Sequence, residues 1–485
     1  MDRREFVKTA VSTAAALASA QGQTQPASKT FVGVQLNVGP IIDQGVDKVL
    51  DDLQRLAHVN ALFLYTHTYM AERVHARSYP AAFRGGNFAT VHPQYYRDTI
   101  VKPEDTRAPE FPNFDALAVV VPAARKRGMK TFSWIIEDNM LPNVPGMDQL
   151  WEKDMNGATP TRHPAGPCFH NPHYRNYLLG LVEDHCRSYQ IDGIMFGSER
   201  QGPLGYSLGA YHNGARADPG TVCCFCSFCE RDARAQGIDF ARVKQGYRAL
   251  EKFVRAGRAG QRPVDGYYVA FWRVLLDYPE VLVWERFWNT GQRETYEALH
   301  AKVKSIRADM QAGWHIWQNS SFNPIYRAEQ DFAAFAPYTD YVKPVLYNNC
   351  AGERMISYMA STGADIHGDL SKPDLLEFEY KVLGYNEAPL DKLAGAGFSA
   401  DYVYRETKRT VDGIAGAKTL VWPGIDIDVP TAAGNSKCTP AGVRDAVLAA
   451  YKGGAHGVVL SRSYSEMKPE NLRGAGEALE QLGLV

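Results

Sequence analysis

The stretch from Gly193 to Arg200 reads GIMFGSER, a short apolar run that ends abruptly in polar residues. Such a run is typical of a buried strand in a parallel sheet. The chain contains eight runs of this kind, at Phe31 to Val38, Ala61 to Tyr65, Lys130 to Ile136, Gly193 to Gly197, Ala312 to Trp317, Tyr341 to Tyr347, Thr419 to Ile425 and Gly457 to Ser461. Segments with apolar residues at spacings of three and four lie between them and predict helices, at Val46 to Ala57, Phe114 to Arg127, Arg175 to Tyr189, Arg293 to Arg307 and Ala441 to Lys452.

Eight strands that alternate with helices predict an α/β fold, a single (β/α)8 TIM barrel over residues 31–485. A doubly wound sheet is the alternative, but no G-x-G-x-x-G motif opens a helix after the first strand. The segment from Arg200 to Gln292 is longer than an ordinary loop and contains clusters of Gly, Pro and Cys. We therefore expect residues 200–292 to form a long cysteine-containing excursion after strand 4, with helices that lead back to the barrel.

Composition excludes several classes of protein. The 485 residues are 45% hydrophobic and 22% charged, and 53 basic side chains nearly balance 54 acidic ones. This balance excludes a disordered chain, a collagen-like repeat and a strongly basic nucleic-acid binder. A mean hydropathy of −0.32, without an apolar run of about 18 residues, argues against a membrane span. We expect a soluble globular protein with no nucleic-acid partner.

The first twenty residues have the order of a twin-arginine signal peptide. Arg3 and Arg4 precede an apolar stretch from Thr9 to Ala18, which ends in a small-residue cleavage site at Ala20. The alternative is an alanine-rich helix that follows two arginines. Residues 1–20 are therefore predicted to be the signal peptide and residues 21–30 a linker, so that the mature chain carries a net charge of about −2. Export by this pathway predicts a periplasmic or secreted protein that folds, and can load a metal, before export.

The active site of a TIM barrel lies at the carboxyl ends of its strands. Glu199 ends strand 4 beside Arg200, where a general acid is expected, and the alternative is an ion-paired structural glutamate. Asp192 lies at the opposite end of this strand and is predicted to be structural. Cleavage of a glycosidic bond requires a second carboxyl group, about 5 to 10 Å away.

Strands 7 and 3 supply candidates for that second group. Asp426 and Asp428 follow strand 7 with the same parity, so the alternation of side chains cannot choose between them. Glu137 and Asp138 follow strand 3. Each of these four alone is as readily explained as a loop or capping carboxylate.

Aromatic and polar side chains also gather at the predicted strand ends. Flat rings suit the faces of sugars, although buried aromatic residues are more often part of a core. The aromatic candidates are Tyr65, Trp134, Trp314, Trp317, Tyr347 and Trp422. Neighbouring candidates for binding hydroxyl or carboxylate groups are His67, Glu137, His315, Gln318, Lys343, Asn348 and Arg462. Lys343 stands out, because a lysine within an apolar strand either points into the barrel mouth or needs a partner.

Four of the eight cysteines fall in the segment Cys223 to Cys229, which reads CCFCSFC. Thiolates this close favour a tetrahedral metal site, and the expected ion is a structural zinc. We predict Cys224, Cys226 and Cys229 as ligands, with Cys168 as the fourth and Cys223 as its alternative. Disulfide bonds remain the rival interpretation, because the predicted export leads to an oxidising compartment.

A glutamate that ends strand 4 and precedes a Cys-x-Cys-x-x-Cys segment resembles the glycoside hydrolase family 42 β-galactosidases and related clan A barrels. The resemblance implies that Glu199 is the acid/base and that Cys168, Cys224, Cys226 and Cys229 hold a structural zinc. The chain departs from the family at Ser198, where the family has asparagine, and on strand 7, where the family has a glutamate nucleophile. The spacing from Glu199 to Cys224 is also longer. We therefore interpret the chain as a divergent relative whose substrate does not transfer.

Three hypotheses of function follow from these residues. The first is an exported glycoside hydrolase that acts on a carbohydrate through Glu199 and Asp426, with Asp428 in reserve. The second is a TIM barrel that binds carbohydrate without cleaving it, because the strand 7 glutamate is missing. The third is a metal-dependent hydrolase, which is weakened by the absence of a His-x-His motif at the end of strand 1.

Overall fold

Eight parallel strands close into a barrel in the computed structural model, which describes residues 30–68, 85–137, 144–160, 166–209 and 217–485. The strands are β1 (Phe31–Leu36), β2 (Ala61–Tyr65), β3 (Lys130–Ile136), β4 (Gly193–Gly197), β5 (Gln311–Ile316), β6 (Tyr341–Leu346), β7 (in two segments, Leu420–Val421 and Gly424–Asp426) and β8 (Gly457–Ser461). Neighbours in the barrel are neighbours in the chain, and β8 pairs with β1 to close the ring. The predicted TIM barrel is confirmed.

Helices cover the outside of the barrel. Those of the described residues are α1 (Val38–Gln44), α2 (Val46–Ala57), α3 (Ala116–Lys126), α4 (Pro172–Ser188), α5 (Pro203–Ser207), α6 (Ser227–Ala235), α7 (Phe240–Arg258), α8 (Tyr267–Asp277), α9 (Glu280–Ile306), α10 (Pro324–Glu329), α11 (Phe332–Phe335), α12 (Asn348–Tyr358), α13 (Ala364–Ile366), α14 (Lys372–Leu383), α15 (Leu390–Ala396), α16 (Ala400–Gly413), α17 (Pro440–Lys452) and α18 (Pro469–Gln481). None of these helices is long and apolar enough to cross a bilayer.

Local sequence explains where these helices form. Helix α2 buries Val49, Leu50, Leu53 and Leu56, which recur at the three- and four-residue spacing of one helix face. Asn171 caps the amino terminus of helix α4, because its side chain accepts a hydrogen bond from the backbone N–H of His173. The one large difference from the predicted helices is α9, which begins at Glu280 and therefore includes the last part of the predicted excursion.

Aromatic side chains fill the amino-terminal half of the barrel interior. The ring of Trp422 stacks on Phe31 at 3.7 Å and on Tyr341 at 4.1 Å, and Phe63 stacks on Phe132 at 4.9 Å. These rings form a hydrophobic layer in which the hydroxyl of Tyr341 donates to the carbonyl of Ile194 at 2.8 Å, as expected for the end of the barrel that serves stability. Polar inward-facing side chains lie above this layer, at the carboxyl ends of the strands.

Residues 200–292 contain α5 to α8 and the start of α9. The segment that begins at Cys223 leads into the amino terminus of α6, and Cys226 is the residue before the first turn of this helix. A two-residue antiparallel pairing of His67–Thr68 with Gly86–Asn87 follows β2. The predicted signal peptide, nearly all of the linker, and Asp138 lie outside the described residues, and the domain boundaries stay predictions.

Candidate active site

Glu199 lies two residues beyond the end of β4, at the mouth of the barrel. Its Oε1 atom is 2.9 Å from Nε2 of His315, which belongs to the neighbouring strand β5. The side chain of Glu199 is 18% exposed, whereas that of His315 is 2% exposed. The register of the sheet places Gly197 opposite His315 and His315 opposite Lys343. Three adjacent strands therefore contribute to one row of polar groups that reaches solvent at Glu199.

Lys343 is buried beneath this row, on β6. Its Nζ atom lies 3.1 Å from Oε1 of Gln35, 3.0 Å from the hydroxyl of Tyr347 and 3.4 Å from Nδ1 of His315. An ammonium group has three N–H donors and no acceptor, so these three neighbours match its hydrogen-bonding capacity. A charged Lys343 can only donate, so Nδ1 of His315 accepts from it and Nε2–H is left to donate to Glu199. The chemistry of the lysine thus selects the tautomer that holds the carboxylate.

The Lys343 ammonium group has a pKa close to neutral pH. Burial lowers the pKa of its ammonium group to about 7, and the negative charge of Glu199 acts in the opposite direction. The lysine can therefore gain or lose a proton in the physiological range, which an exposed lysine cannot do.

Two glycines make room for this row of side chains. A Cβ atom at Gly197 would lie 2.8 Å from Cβ of His315 and 3.0 Å from the ring of Trp134. A Cβ atom at Gly424, on β7, would collide with the side chain of Lys343. The glycines of the strand-like runs at these two positions are thus required by the packing of the site.

Arg200 turns away from the mouth and into the protein. Its guanidinium group donates to both carboxylate oxygens of Glu137, at 3.0 and 2.6 Å, and pairs with Glu152 at 3.1 Å. Glu137 also accepts from Ser198, 2.9 Å away. All four side chains are buried, and burial raises the pKa of Glu152 to about 7 against the opposing charge of Arg200. Glu137 is therefore engaged in a buried ion pair, and we do not assign it to the substrate surface.

The two strand 7 aspartates occupy different surroundings. The Oδ1 atom of Asp426 accepts from the backbone N–H of Val429 at 3.0 Å and from the thiol of Cys438 at 3.3 Å. Its Oδ2 atom is buried without a hydrogen-bond partner among the described residues, and burial raises the pKa of this carboxyl to about 6. Asp428 instead accepts from the backbone N–H of Lys468 and from Asn471, both at 2.9 Å. It secures the start of α18.

The predicted aromatic platform is buried. Trp422 lies in the aromatic layer of the barrel interior, and Trp134 lies under His315, with their rings 4.9 Å apart. Trp317 is 2% exposed and meets the ring of Tyr326 edge-on. These three rings shape and support the site, and in this conformation they do not offer a face to a sugar. Tyr347 contributes its hydroxyl group to the Lys343 network.

Three other polar candidates have partners outside the row of Glu199, His315 and Lys343. His67 is buried against Thr66 at 2.9 Å and near His185, in the layer between the barrel and α4. Asn348 is half-buried, donates to the carbonyl of Phe398 and lines a cavity of about 240 Å³ that also includes Asp426. Arg462 follows β8, and its partly exposed guanidinium group pairs with Glu466 at 2.7 Å. Arg462 and Asn348 remain candidates for binding substrate at the rim.

The candidates from the sequence lacked two polar residues of the site. Gln35, inside the apolar strand β1, has the parity that points inward, and its Nε2 donates to the hydroxyl of Tyr65 at 3.4 Å. A glutamine in such a strand is the signal that could have identified it. Glu152 lies in a loop, outside the helices and strands, and no local sequence pattern predicts its contact with Arg200.

The cysteine cluster has the geometry of a metal site. The Sγ atoms of Cys168, Cys224, Cys226 and Cys229 all lie within 4.8 Å of one another, and all four residues are buried. The sulfurs of Cys168 and Cys229 are 3.4 Å apart, far beyond the ~2.05 Å of a disulfide bond. Cys223 faces elsewhere, and its thiol donates to the carbonyl of Thr221. The structure thus holds four separate thiols that can bind one metal ion.

A buried aromatic contact connects this cluster to the mouth. Phe169 follows Cys168 directly, and the guanidinium group of Arg200 lies 4.5 Å from the centre of its ring. Arg200 is in turn the neighbour of Glu199. The position of the loop that contains Cys168 therefore affects the position of Arg200 and of the residues that follow β4.

Two solved β-galactosidases share the architecture of this chain. The enzyme from Rahnella sp. R3 is 13% identical, with a TM-score of 0.51 over 95% of this chain and 57% of its own. A family 42 β-galactosidase from G. stearothermophilus is 11% identical, with a TM-score of 0.50 over 94% and 57%. The likeness is one of fold. This chain spans a little over half the length of either enzyme, and no protein-family model or curated protein sequence matches it.

Proposed function

We propose that the protein is an O-glycosyl hydrolase in which Glu199 is the general acid/base. The observation that carries the proposal is the row Glu199, His315 and Lys343, which holds a partly exposed carboxyl group at the carboxyl end of β4. Active sites of TIM barrels lie at this end. The shared fold of the two β-galactosidases and the residues around strand 4 support the same reaction class.

The residues act in two steps. Protonated Glu199 donates its proton to the glycosidic oxygen as the carboxylate of Asp426 attacks the anomeric carbon and the glycosidic bond breaks. The carboxylate of Glu199 then accepts a proton from the water that attacks the anomeric carbon and displaces Asp426. The Nε2–H of His315 orients the carboxyl group and stabilises its charged form between these steps. Lys343 keeps His315 in the required tautomer, so we class both as positioning residues.

Asp426 is our candidate for the second carboxyl group. It has inward parity on β7, its buried Oδ2 atom has no described partner, and its strand lies three positions around the ring from β4. Asp428 is the weaker candidate, because both of its oxygens are engaged at the start of α18.

We further propose that the four clustered cysteines hold a structural zinc ion. Four buried cysteine sulfurs within 4.8 Å of one another suit a zinc ion, which takes four such ligands and would leave no coordination position for substrate. The ion would fix the Cys168 loop and, through Phe169 and Arg200, the end of β4.

The twin-arginine motif supports export to the periplasm or the medium, which fractionation of cells that express the full chain would test.

A panel of aryl glycosides and natural oligosaccharides tests the central proposal. We expect turnover of at least one glycoside by the wild-type chain and its loss in Glu199→Gln. Binding without turnover across the panel would instead favour a carbohydrate-binding barrel. Full activity of Glu199→Gln would overturn the assignment of the acid/base.

A further inference from the structure

A second cavity lies beside the barrel, away from the cysteine cluster. Its volume is about 810 Å³, within the range of small-molecule sites. Helices α8, α9, α10 and α14 contribute most of its lining, and apolar atoms predominate. None of the groups assigned above to the barrel mouth lines it.

Two carboxylic acids form part of the lining. The Oε1 atom of Glu285 and the Oε2 atom of Glu329 are buried without a hydrogen-bond partner among the described residues. Glu285 also accepts from the backbone N–H of Leu204 at 2.7 Å. Burial, together with the neighbouring acid in the case of Glu329, raises the pKa of both carboxyl groups.

Two further buried polar groups line the cavity without a described partner. Glu379, on α14, accepts from the hydroxyl of Tyr358 at 3.1 Å through Oε1, whereas its Oε2 atom has no hydrogen-bond partner among the described residues. The amide Nε2 atom of Gln292 is likewise buried without a hydrogen-bond partner among the described residues. Both side chains are more than nine-tenths buried. An unsatisfied buried acceptor is costly, so a ligand that donates a hydrogen bond to the Oε2 atom of Glu379 would bind favourably.

The rim of the cavity is aromatic and exposed. Tyr268, Trp272 and Phe378 are 51%, 44% and 40% exposed, unusually high for large apolar side chains. Tyr268 stacks on His367 with ring centres 5.3 Å apart, and the ring of Phe378 lies 5.0 Å from the same imidazole. Aromatic faces attract both apolar bodies and organic cations.

We propose that this cavity is a binding site for an organic ammonium ion with an apolar body. The aromatic rim and apolar walls take the body, and the ammonium group pairs with the acids within. Carboxyl groups outnumber cationic groups in the lining: Glu285, Glu329, Glu379 and Asp331 face Arg286 and Arg293, with His367 at the rim. When the cation binds, the carboxylic acid that pairs with it releases its proton to solvent, so charge balances. This site is independent of the proposed glycosidase activity.

Isothermal titration of the full chain with n-octylammonium chloride tests the proposal, with 1-octanol, octyl β-glucoside and octyl sulfate as probes of equal chain length. We expect one octylammonium ion to bind at pH 7, at least tenfold more tightly than any other probe. Comparison of buffers with different ionisation enthalpies should show release of close to one proton. Equal binding of octanol, or tighter binding of the glucoside or sulfate, would overturn the ammonium assignment.

Variants locate the site. Glu379→Gln and Glu329→Gln should each weaken octylammonium binding at least tenfold, whereas Glu377→Gln, an exposed neighbour on α14 that pairs with Lys381, should leave it unchanged. Trp272→Ala, at the exposed rim, should weaken all bound probes alike and serves if a buried variant fails to fold. If sedimentation shows a dimer that Trp272→Ala dissociates, and no probe binds, the face is an interface between copies and the proposal is wrong.

Discussion

Nε2 of His315 lies 2.9 Å from Oε1 of Glu199, although the two residues are 116 positions apart in the chain. Adjacent strands of the barrel create this contact, and the buried ammonium group of Lys343 sets its direction by occupying the other ring nitrogen. A carboxyl group held in this way has a defined orientation at the barrel mouth while remaining partly exposed. This contact underlies the proposed role of Glu199 as the acid/base.

Glu199→Gln should lower kcat about 10²- to 10⁴-fold, because the amide cannot exchange the proton that the reaction requires. The melting temperature should change little, since glutamine keeps the oxygen that accepts from His315. Initial rates on the best glycoside of the panel provide the measurement. Glu294→Gln, on the surface of α9, is the control and should retain wild-type activity.

Lys343→Met should change the dependence of stability on pH. The pKa of Lys343 falls from its usual 10.5 to about 7 in the folded chain. Between these values the unfolded chain binds more protons, so this group makes the free energy of unfolding rise with pH, by at most about 1.4 kcal/mol per unit.

Urea unfolding of both chains at pH 6.5, 8 and 9.5 measures this effect. The difference between Lys343→Met and wild type isolates the lysine, because the other titrating groups are common to both. The variant should lose the rise with pH and show an altered pH profile of kcat. Identical slopes in the two chains would show that Lys343 keeps an ordinary pKa.

Asp426→Asn and Asp428→Asn should separate the two strand 7 aspartates. If Asp426 is the second carboxyl group, Asp426→Asn loses activity by at least about 100-fold with little loss of stability. Asp428→Asn should keep activity within about twofold but lose about 1 to 2 kcal/mol of stability, because it weakens the hydrogen bonds at the start of α18. The reverse pattern would assign the role to Asp428.

Cys226→Ser should abolish metal binding, whereas Cys223→Ser should retain it, although the two residues are three positions apart. Only the first contributes its sulfur to the four-thiol cluster. Elemental analysis of the purified wild-type chain should find one zinc ion per chain. Thermal unfolding should show a large loss of stability in Cys226→Ser, because metal binding at such a site contributes directly to folding. Loss of zinc in both variants would place Cys223 among the ligands.

Arg200→Met should destabilise the chain by about 3 to 5 kcal/mol near pH 8, because it leaves Glu137 and Glu152 buried without their cation. Lowering the pH toward 5 should recover part of this loss, since protonation removes the unpaired charges. Denaturant titrations at the two pH values provide the measurement. Arg231→Met, at the surface of α6, controls for loss of an exposed ion pair and should have a small effect at both.

The residues at the strand ends show which parts of the site the sequence patterns could predict. Position at or near the end of a predicted strand selected Glu199 and His315, whereas Lys343 was selected as a lysine within an apolar strand. Parity failed on strand 7, because β7 ends at Asp426 and Asp428 adopts a left-handed backbone conformation, with φ of 59°, that redirects its side chain. Aromatic residues at strand ends were equally ambiguous, and burial assigns Trp422 to the core.

The sequence by itself determined the eight strands and the helices between them, because burial of one face imposes a local period that is visible in the order of residues. It also indicated the cysteine ligands, whose spacing is short. Only the tertiary structure decided that Arg200 pairs with Glu137 and Glu152, that His315 turns to Glu199, and that Cys168 rather than Cys223 joins Cys224, Cys226 and Cys229. These contacts depend on the closure of the barrel and the paths of its loops, which bring together residues that no local period relates.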